Sequence, residues 1–262
     1  MQNLTLTMLQ MDLQWENPTG NRNLAETLLN EHFDAEAGSS DLVVLPEMFN
    51  TGFTLEAAAN AELMDGETVN WMQEQAARLD TVLCGSLIID DGGSHFNRFI
   101  WAMPDGTAGH YDKRHLFRMG GEDKGFSAGS ERKVFELNGW RICPLVCYDL
   151  RFPVWSRGLN EFDLMLYVAN WPATRQSSWD ILLPARAVEN QCYVAGVNRI
   201  GIDGNDIIYT GGSAVFDFLG RTLKCSGIDE TAVTTTLKGA TLKRYVEKFP
   251  AWQDGDQFEI NP

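Results

Sequence analysis

Three short apolar runs in this sequence each end at residues that can do chemistry. Residues 42–45 lead through Pro46 to Glu47, residues 142–146 lead to Cys147, and residues 164–169 lead to Asn170 and Trp171. In open α/β sheets, binding sites form beyond the carboxyl ends of the strands. If these runs are strands with converging ends, the sequence predicts one pocket that holds a carboxylate, a thiol and an aromatic wall.

Cys147 is the candidate nucleophile. It stands where a strand ends, and the following residues 148–153 predict a turn into a short helix. A thiol at such a turn is expected to be partly exposed, and nearby helix N–H groups favour the reactive thiolate. The alternative is a buried, chemically inert cysteine.

Glu47 and Lys113 can supply the other groups that hydrolysis by a thiol requires. Glu47 follows an apolar run and Pro46, which predicts a semi-buried carboxylate with a raised pKa, suited to accept the thiol proton. Lys113 can donate to a developing oxyanion, with the backbone N–H of Tyr148 as the second donor. The alternatives are a structural salt bridge for Glu47 and an exposed surface position for Lys113.

Two other arrangements compete for Cys147. Cys143 and Cys147 could share a metal ion on a helix, but on a strand they lie about 13 Å apart, which is too far for one ion. His115 lies two residues from Lys113 and would share its side of an extended segment, so a papain-like Cys–His pair is the stronger rival. Serine hydrolase and nucleotide-binding motifs are absent from the sequence.

Five segments carry a resemblance to a known family. Leu-Pro-Glu at 45–47, Tyr-Asp-Lys-Arg-His-Leu-Phe at 111–117 and Cys-Tyr-Asp-Leu-Arg-Phe-Pro at 147–153 are similar to the glutamate, lysine and cysteine motifs of the nitrilase superfamily, the carbon–nitrogen hydrolases. Ala-Arg-Ala-Val-Glu-Asn at 185–190 and Gly-Ser at 212–213 resemble later landmarks of that family. The resemblance covers nearly the whole chain.

The resemblance implies an α/β protein with a four-layer α-β-β-α sandwich, a catalytic triad of the glutamate, lysine and cysteine named above, and no metal or organic cofactor. It also implies a second glutamate that orients the lysine and tunes proton transfer. Glu122 fits this role best, and Asp123 and Glu131 are weaker candidates. Arg186 and Glu189 are interpreted as a structural pair that supports the site.

Within the superfamily, four segments look closest to bacterial omega-amidases, which hydrolyse 2-oxoglutaramate and 2-oxosuccinamate to the 2-oxo acid and ammonia. They are residues 46–49, 115–119, 167–172 and 247–252. Hydrolases of other amides, nitriles or carbamoyl groups remain alternatives, as does a catalytically silent binding protein on the same fold.

A substrate of this kind carries a carboxylate far from its amide, so the pocket needs a cation there. Phe117 and Trp171 are the predicted walls of the pocket, and Arg118 or Arg175 is the predicted carboxylate partner. For both arginines the alternative is a solvated surface or interface position. The expected ligand is a small amide molecule.

The elements that must position these residues follow one another as strands and helices, the pattern of an α/β protein. Apolar runs at 42–45, 81–84, 142–147, 164–169 and 193–197 are typical of strands covered on both faces, and residues 96–103, 134–137 and 214–218 alternate. Helical patterns cover 21–37, 69–79 and 240–246, and another helix begins at a Ser177/Ser178 cap and runs towards Glu189. We expect a single domain over residues 1–262.

Charge and cysteine content limit the partners and the location of the chain. The formal net charge is −15, which repels nucleic acid and anionic membranes, so neither is an expected partner. No apolar stretch approaches the roughly 20 residues that a membrane helix needs. Five cysteines spread over the chain indicate reduced thiols in the cytoplasm.

The C-terminal segment 245–262 predicts an assembly. Residues 249–253 (Phe-Pro-Ala-Trp-Gln) are aromatic and expected to be extended. Large apolar rings on a monomer surface favour contact with a neighbour. We therefore expect a homodimer with this segment at its interface.

Overall fold

The alternating patterns of the sequence become fourteen strands and six α-helices in the computed structural model, which describes residues 1–35 and 39–260. The strands are β1 Leu4–Gln10, β2 Leu42–Val44, β3 Val82–Asp91, β4 Ser94–Ala102, β5 Ala108–Asp112, β6 Phe135–Leu137, β7 Trp140–Val146, β8 Leu164–Ala169, β9 Tyr193–Asn198, β10 Ile200–Ile202, β11 Ile208–Thr210, β12 Ala214–Phe216, β13 Thr222–Cys225 and β14 Thr231–Leu237. The helices are α1 Pro18–Ala35, α2 Ala57–Asn60, α3 Glu67–Leu79, α4 Pro153–Ser156, α5 Gln176–Asn190 and α6 Gly239–Lys248.

Two six-stranded sheets carry the fold. The first has the strand order β14-β1-β2-β3-β4-β5, and the second has the order β13-β12-β9-β8-β7-β6. Strands β1, β2 and β3 run parallel, as do β7, β8 and β9, while antiparallel strands extend both sheets at their edges. Asn138 and Gly139 have φ values of 51° and 78° and make the two-residue turn from β6 to β7 that the Asn-Gly pair predicts.

The continuous apolar run of β2 is explained by its burial on both faces. Leu42 and Val44 point into the core that the two sheets share, whereas Val43 joins the cluster formed with helices α1 and α3. On the other side of the molecule, α5 packs directly on β9, where a side chain at Gly196 would collide with Leu183. Helices therefore cover the outer face of each sheet, and the predicted α-β-β-α sandwich is confirmed.

Most predicted helices and strands are confirmed, with different ends. Helix α1 begins at Pro18, and residues 36–37 of the predicted helix lie outside the described residues. The serine cap of α5 is a wrong prediction, because the helix already begins at Gln176 and Ser178 lies in its first turn. No helix in the described part of the chain is both long and apolar enough to cross a membrane.

The C-terminal segment differs from its predicted extended form. Residues Ala251–Asp254 make a turn of 3-10 helix after α6, because Gln253 and Gly255 donate backbone hydrogen bonds to carbonyls three residues earlier. The Phe249 side chain is 58% exposed, which agrees with the expected exposed ring.

Candidate active site

The carboxyl ends of β2, β7 and β8 meet in one place, as the three apolar runs predict. Cys147 follows β7 directly and has a φ of 45°, a left-handed conformation that is uncommon for residues other than glycine. The Asp149 carboxylate holds this turn by accepting a hydrogen bond from Val146 N at 3.0 Å. The Cys147 Sγ lies 4.0 Å from the carbonyl oxygen of Asn170, at the end of β8.

Glu47 is fully buried, not semi-buried as the sequence predicts. Its Oε1 accepts hydrogen bonds from Lys113 Nζ at 3.0 Å and from Asn97 Nδ2 at 2.8 Å. Its Oε2 accepts one from Asn170 N at 2.7 Å, and its backbone carbonyl accepts another from Asn170 Nδ2 at 2.6 Å. These contacts fix the carboxylate inside the site, where it forms a salt bridge with Lys113.

Lys113 is 1% exposed, so the alternative of an exposed surface position is wrong. Its ammonium group donates to Glu47 and to both oxygens of Glu122, at 2.9 and 3.0 Å. Glu122 is itself fully buried and also accepts a hydrogen bond from Phe117 N at 2.5 Å. The structure therefore brings the two glutamates, the lysine and Cys147 together.

The weaker candidates for the second glutamate lie apart from this cluster. Asp123 and Glu131 are exposed, and Glu131 pairs with Lys133. Arg186 and Glu189 form the predicted pair at 3.1 Å, and Arg186 also donates to the carbonyl of Leu150. That bond supports the 3-10 turn that follows the thiol.

Burial and charge set the ionisation of the cluster. Burial raises the pKa of the Cys147 thiol well above its usual value, and Glu47 raises it further, while Lys113 lowers it. These effects favour the protonated thiol, whereas the sequence predicts that helix N–H groups favour the thiolate. Burial alone would lower the pKa of Lys113, but Glu122 and Glu47 outweigh it and raise that pKa, so the lysine stays an ammonium ion.

Glu122 also differs from an ordinary surface glutamate. Burial raises its pKa, Lys113 opposes this change, and the neighbouring Glu47 adds to it. Two carboxylates next to one ammonium group leave an excess of negative charge, which a proton or additional hydrogen-bond donors must balance.

A cavity of about 280 Å³ opens above Cys147. Its walls are mostly aromatic and apolar side chains, among them Phe53, Leu55, Phe117, Tyr148, Trp171, Ile207 and Tyr209. Two predicted wall residues, Phe117 and Trp171, are thus in the cavity, as is Tyr148. Of the two predicted arginines, Arg175 lines the cavity, whereas Arg118 is exposed and lines an adjacent cleft.

Three polar residues of the site were not predicted from the sequence. Arg151 lines the cavity, 5.1 Å from the centre of the Trp171 ring, and is part of the cysteine motif. The sequence marks Asn170 only as the end of a strand. Asn97 lies on the alternating strand β4, and its pattern carries no signal of a role.

His115 does not form the rival Cys–His pair. Its backbone N and its Nδ1 both lie within hydrogen-bond distance of Asp149 Oδ1, at 3.0 and 2.8 Å, and its ring stacks on Phe152 at 3.8 Å. The ring lines the cleft next to the cavity. Cys143 is buried in the sandwich core, where burial raises the pKa of its thiol to about 12.

The sequence matches a known protein family over most of its length. The carbon–nitrogen hydrolase profile matches residues 5–245. The chain belongs to the carbon–nitrogen hydrolase family. This hydrolase is 47% identical to the omega-amidase YafV of Escherichia coli (strain K12), over 99% of this chain and 100% of that protein. It is 32% identical to the 2-oxoglutaramate amidase of Bacillus subtilis (strain 168), over 95% of this chain and 96% of that one.

Solved structures agree with the family assignment. A CN-hydrolase superfamily protein from Xanthomonas campestris, whose crystal structure contains an arsenic adduct in the active site, superposes on this carbon–nitrogen hydrolase with a TM-score of 0.95, 48% identity and full coverage of both chains. A glutamate-to-glutamine mutant of an amidase from Nesterenkonia sp. AN1, with acrylamide added at the active-site cysteine, superposes with a TM-score of 0.80 and 25% identity, over 95% of this chain and 99% of that one.

Proposed function

We propose that the chain is an omega-amidase, which hydrolyses the terminal amide of a small omega-amido 2-oxo acid such as 2-oxoglutaramate. The observation that supports it is a cavity lined by the half-buried thiol of Cys147 and the ammonium group of Lys113, which pairs with the buried carboxylate of Glu47, with two arginines in its aromatic walls. The amidase names of the relatives from Escherichia coli and Bacillus subtilis support the same reaction.

The first half of the reaction forms a thioester. Glu47 takes the proton of the Cys147 thiol, and the sulfur attacks the amide carbon. Lys113 and the backbone N–H of Tyr148 donate to the oxyanion that develops. The carbon–nitrogen bond then breaks, and Glu47 returns the proton to the nitrogen, which leaves as ammonia.

The second half releases the acid. Glu47 takes a proton from water, whose oxygen attacks the thioester carbon, and the sulfur leaves and recovers the proton. Glu122 holds Lys113 in place throughout, because both of its oxygens accept hydrogen bonds from the ammonium group. No cofactor takes part in this sequence of steps.

Arg175 and Arg151 are the proposed partners of the substrate carboxylate. The Arg175 guanidinium lies 5.0 Å from the centre of the Phe117 ring, and Arg151 is held by Trp171 and by a 2.8 Å hydrogen bond to Ser178 Oγ. Aromatic stacking orients a guanidinium for bidentate contact with a carboxylate. Arg118, the other predicted partner, is exposed outside the cavity.

Replacing Arg175 or Arg151 by methionine is expected to raise KM for 2-oxoglutaramate by about 10- to 100-fold, because a charge-assisted bond to the substrate is lost. KM for a neutral amide of similar length changes much less. Arg118→Met is the matched control and leaves both KM values near those of the wild type. Equal effects of Arg175→Met and Arg151→Met on the charged and neutral substrates would exclude both residues as carboxylate partners.

Ammonia release tests the substrate assignment directly. The purified protein is assayed with 2-oxoglutaramate and 2-oxosuccinamate, beside glutamine, asparagine, a nitrile and a carbamoyl compound of similar size. We expect the two 2-oxo acids to have the highest kcat/KM. A preference for the nitrile or the carbamoyl compound would replace the proposal with another activity of the family.

The proposed enzyme is a cytoplasmic homodimer made from a single domain, residues 1–262, and residues 245–262 lie at its interface. Exposed apolar side chains in this segment support the proposal, since Phe249 is 58% exposed and Phe258 is 46% exposed. Light scattering of the purified protein measures the molar mass, and the mass of one chain would contradict the proposal.

A further inference from the structure

Asn97, on β4, contacts both buried glutamates of the site. Its side chain is fully buried, and Nδ2 lies 2.8 Å from Glu47 Oε1 and 3.3 Å from Glu122 Oε1. Its backbone carbonyl also accepts a hydrogen bond from Lys113 N at 3.0 Å. Asn97 therefore borders the same two carboxylate oxygens as the lysine ammonium group.

The hydrogen bonds around Ser86 fix which end of the Asn97 amide faces the glutamates. Met48 N, which can only donate, lies 2.9 Å from Ser86 Oγ, so that oxygen is an acceptor there. The serine hydroxyl proton is then free to point at Asn97 Oδ1, 2.8 Å away. With Oδ1 engaged as an acceptor, the NH₂ group must be the end that faces Glu47 and Glu122.

This orientation restricts the protonation of the two glutamates. The NH₂ group and the ammonium group of Lys113 are donors only, so the carboxyl oxygens between them must be acceptors. The charged and titratable groups that face these carboxyls are Lys113, the Cys147 thiol and each other. Without the amide, the two fully buried carboxylates would share one ammonium group, and protonation of one of them would relieve the repulsion.

We propose that Asn97 is a positioning residue that keeps Glu47 and Glu122 ionised at the same time, so that Glu47 can accept the Cys147 proton. This inference rests on the proposed omega-amidase mechanism and adds a residue to it. Asn97 touches no substrate atom in this scheme and acts only through the two carboxylates.

The pH profile of Asn97→Leu tests this role. Without the donor, the buried glutamate pair holds a proton more readily, so the acid limb of kcat/KM moves to higher pH. We expect a shift of about one pH unit, with a rate about tenfold lower on the acid limb, because one unit in pKa changes the ionised fraction tenfold below the pKa. The rate recovers towards that of the wild type at alkaline pH. KM for 2-oxoglutaramate stays within about twofold, since no contact with the substrate is removed.

Two further variants separate this role from a general loss of structure. Ser86→Ala keeps the Asn97 amide but frees it to rotate. It should therefore move the acid limb in the same direction as Asn97→Leu but by a smaller amount. This variant provides the test if Asn97→Leu does not fold. Asn190→Leu removes another buried asparagine, which bonds to Gly158 N, Arg186 O and Glu189 Oε1 but contacts neither Glu47 nor Glu122, and it should leave the acid limb where it is.

Opposite results would overturn the inference. One is a rate of Asn97→Leu that falls by the same factor at every pH. The other is an acid limb that Asn190→Leu moves as far as Asn97→Leu does. Wild-type turnover of 2-oxoglutaramate is measured in the same assay. Its absence would count against the omega-amidase function, whereas an unmoved acid limb in an active enzyme counts against Asn97.

Discussion

Replacing Cys147 by alanine is expected to lower kcat for ammonia release by at least about 10⁴-fold, because no other group in the cavity can form the thioester. The cluster of Glu47, Lys113 and Glu122 keeps its own hydrogen bonds when the thiol is removed, so the fold and the binding of substrate should survive. Ammonia release measures the loss, and thermal unfolding with and without 2-oxoglutaramate measures the retained binding.

Cys225→Ala is the matched control for this variant. Cys225 is a free, exposed cysteine on β13, away from the cavity, so its loss should leave kcat unchanged. After treatment with iodoacetamide, mass spectrometry should find an alkylated Cys147. This adduct should be present in Cys225→Ala and absent from Cys147→Ala. More than trace hydrolysis by Cys147→Ala would contradict the thioester mechanism.

Much of the candidate site could be predicted from the sequence, since the positions of its residues depend on where strands end. Glu47 and Cys147 follow buried parallel strands, and the carboxyl ends of such strands meet across the sandwich. Lys113 directly follows the last residue of β5 and was found through its motif. A strand end is a local property of the chain, so apolar runs are enough to locate it.

The remaining features depend on side-chain directions that sequence patterns do not encode. Arg118 and Phe117 are adjacent in sequence, yet a 3-10 turn that starts at Arg118 sends one outwards and the other into the cavity. Asn97 lies on a strand with an alternating pattern, and the sequence does not distinguish it from other inward-facing residues. Its proposed role depends on a contact with Glu47, fifty positions away in the sequence. The raised pKa of the Cys147 thiol follows from burial and from the nearby carboxylates of Glu47 and Glu122, which only the assembled site reveals.

Glu47→Gln is expected to lower kcat about 10³-fold, the usual effect of losing a general base that acts in two proton transfers. The glutamine keeps the size of the side chain, but its single carbonyl oxygen can accept a hydrogen bond from Lys113 Nζ or from Asn170 N and not from both, so a measurable loss of stability is expected beside the loss of activity. Rapid-quench measurement of acylation and of ammonia release checks the expectation. Deacylation suffers too, because water has no other base to activate it.

Glu47→Gln also distinguishes the loss of the general base from a loss of thiol reactivity. Because the Glu47 carboxylate raises the pKa of Cys147, its removal lowers that pKa, so alkylation of the thiol by iodoacetamide should persist while hydrolysis stops. A Cys–His mechanism predicts the reverse: His115→Gln would abolish acylation, and Glu47→Gln would spare it. With Nδ1 of His115 directed at Asp149, we expect His115→Gln to cost less than about tenfold in kcat, mainly through the turn that carries Cys147.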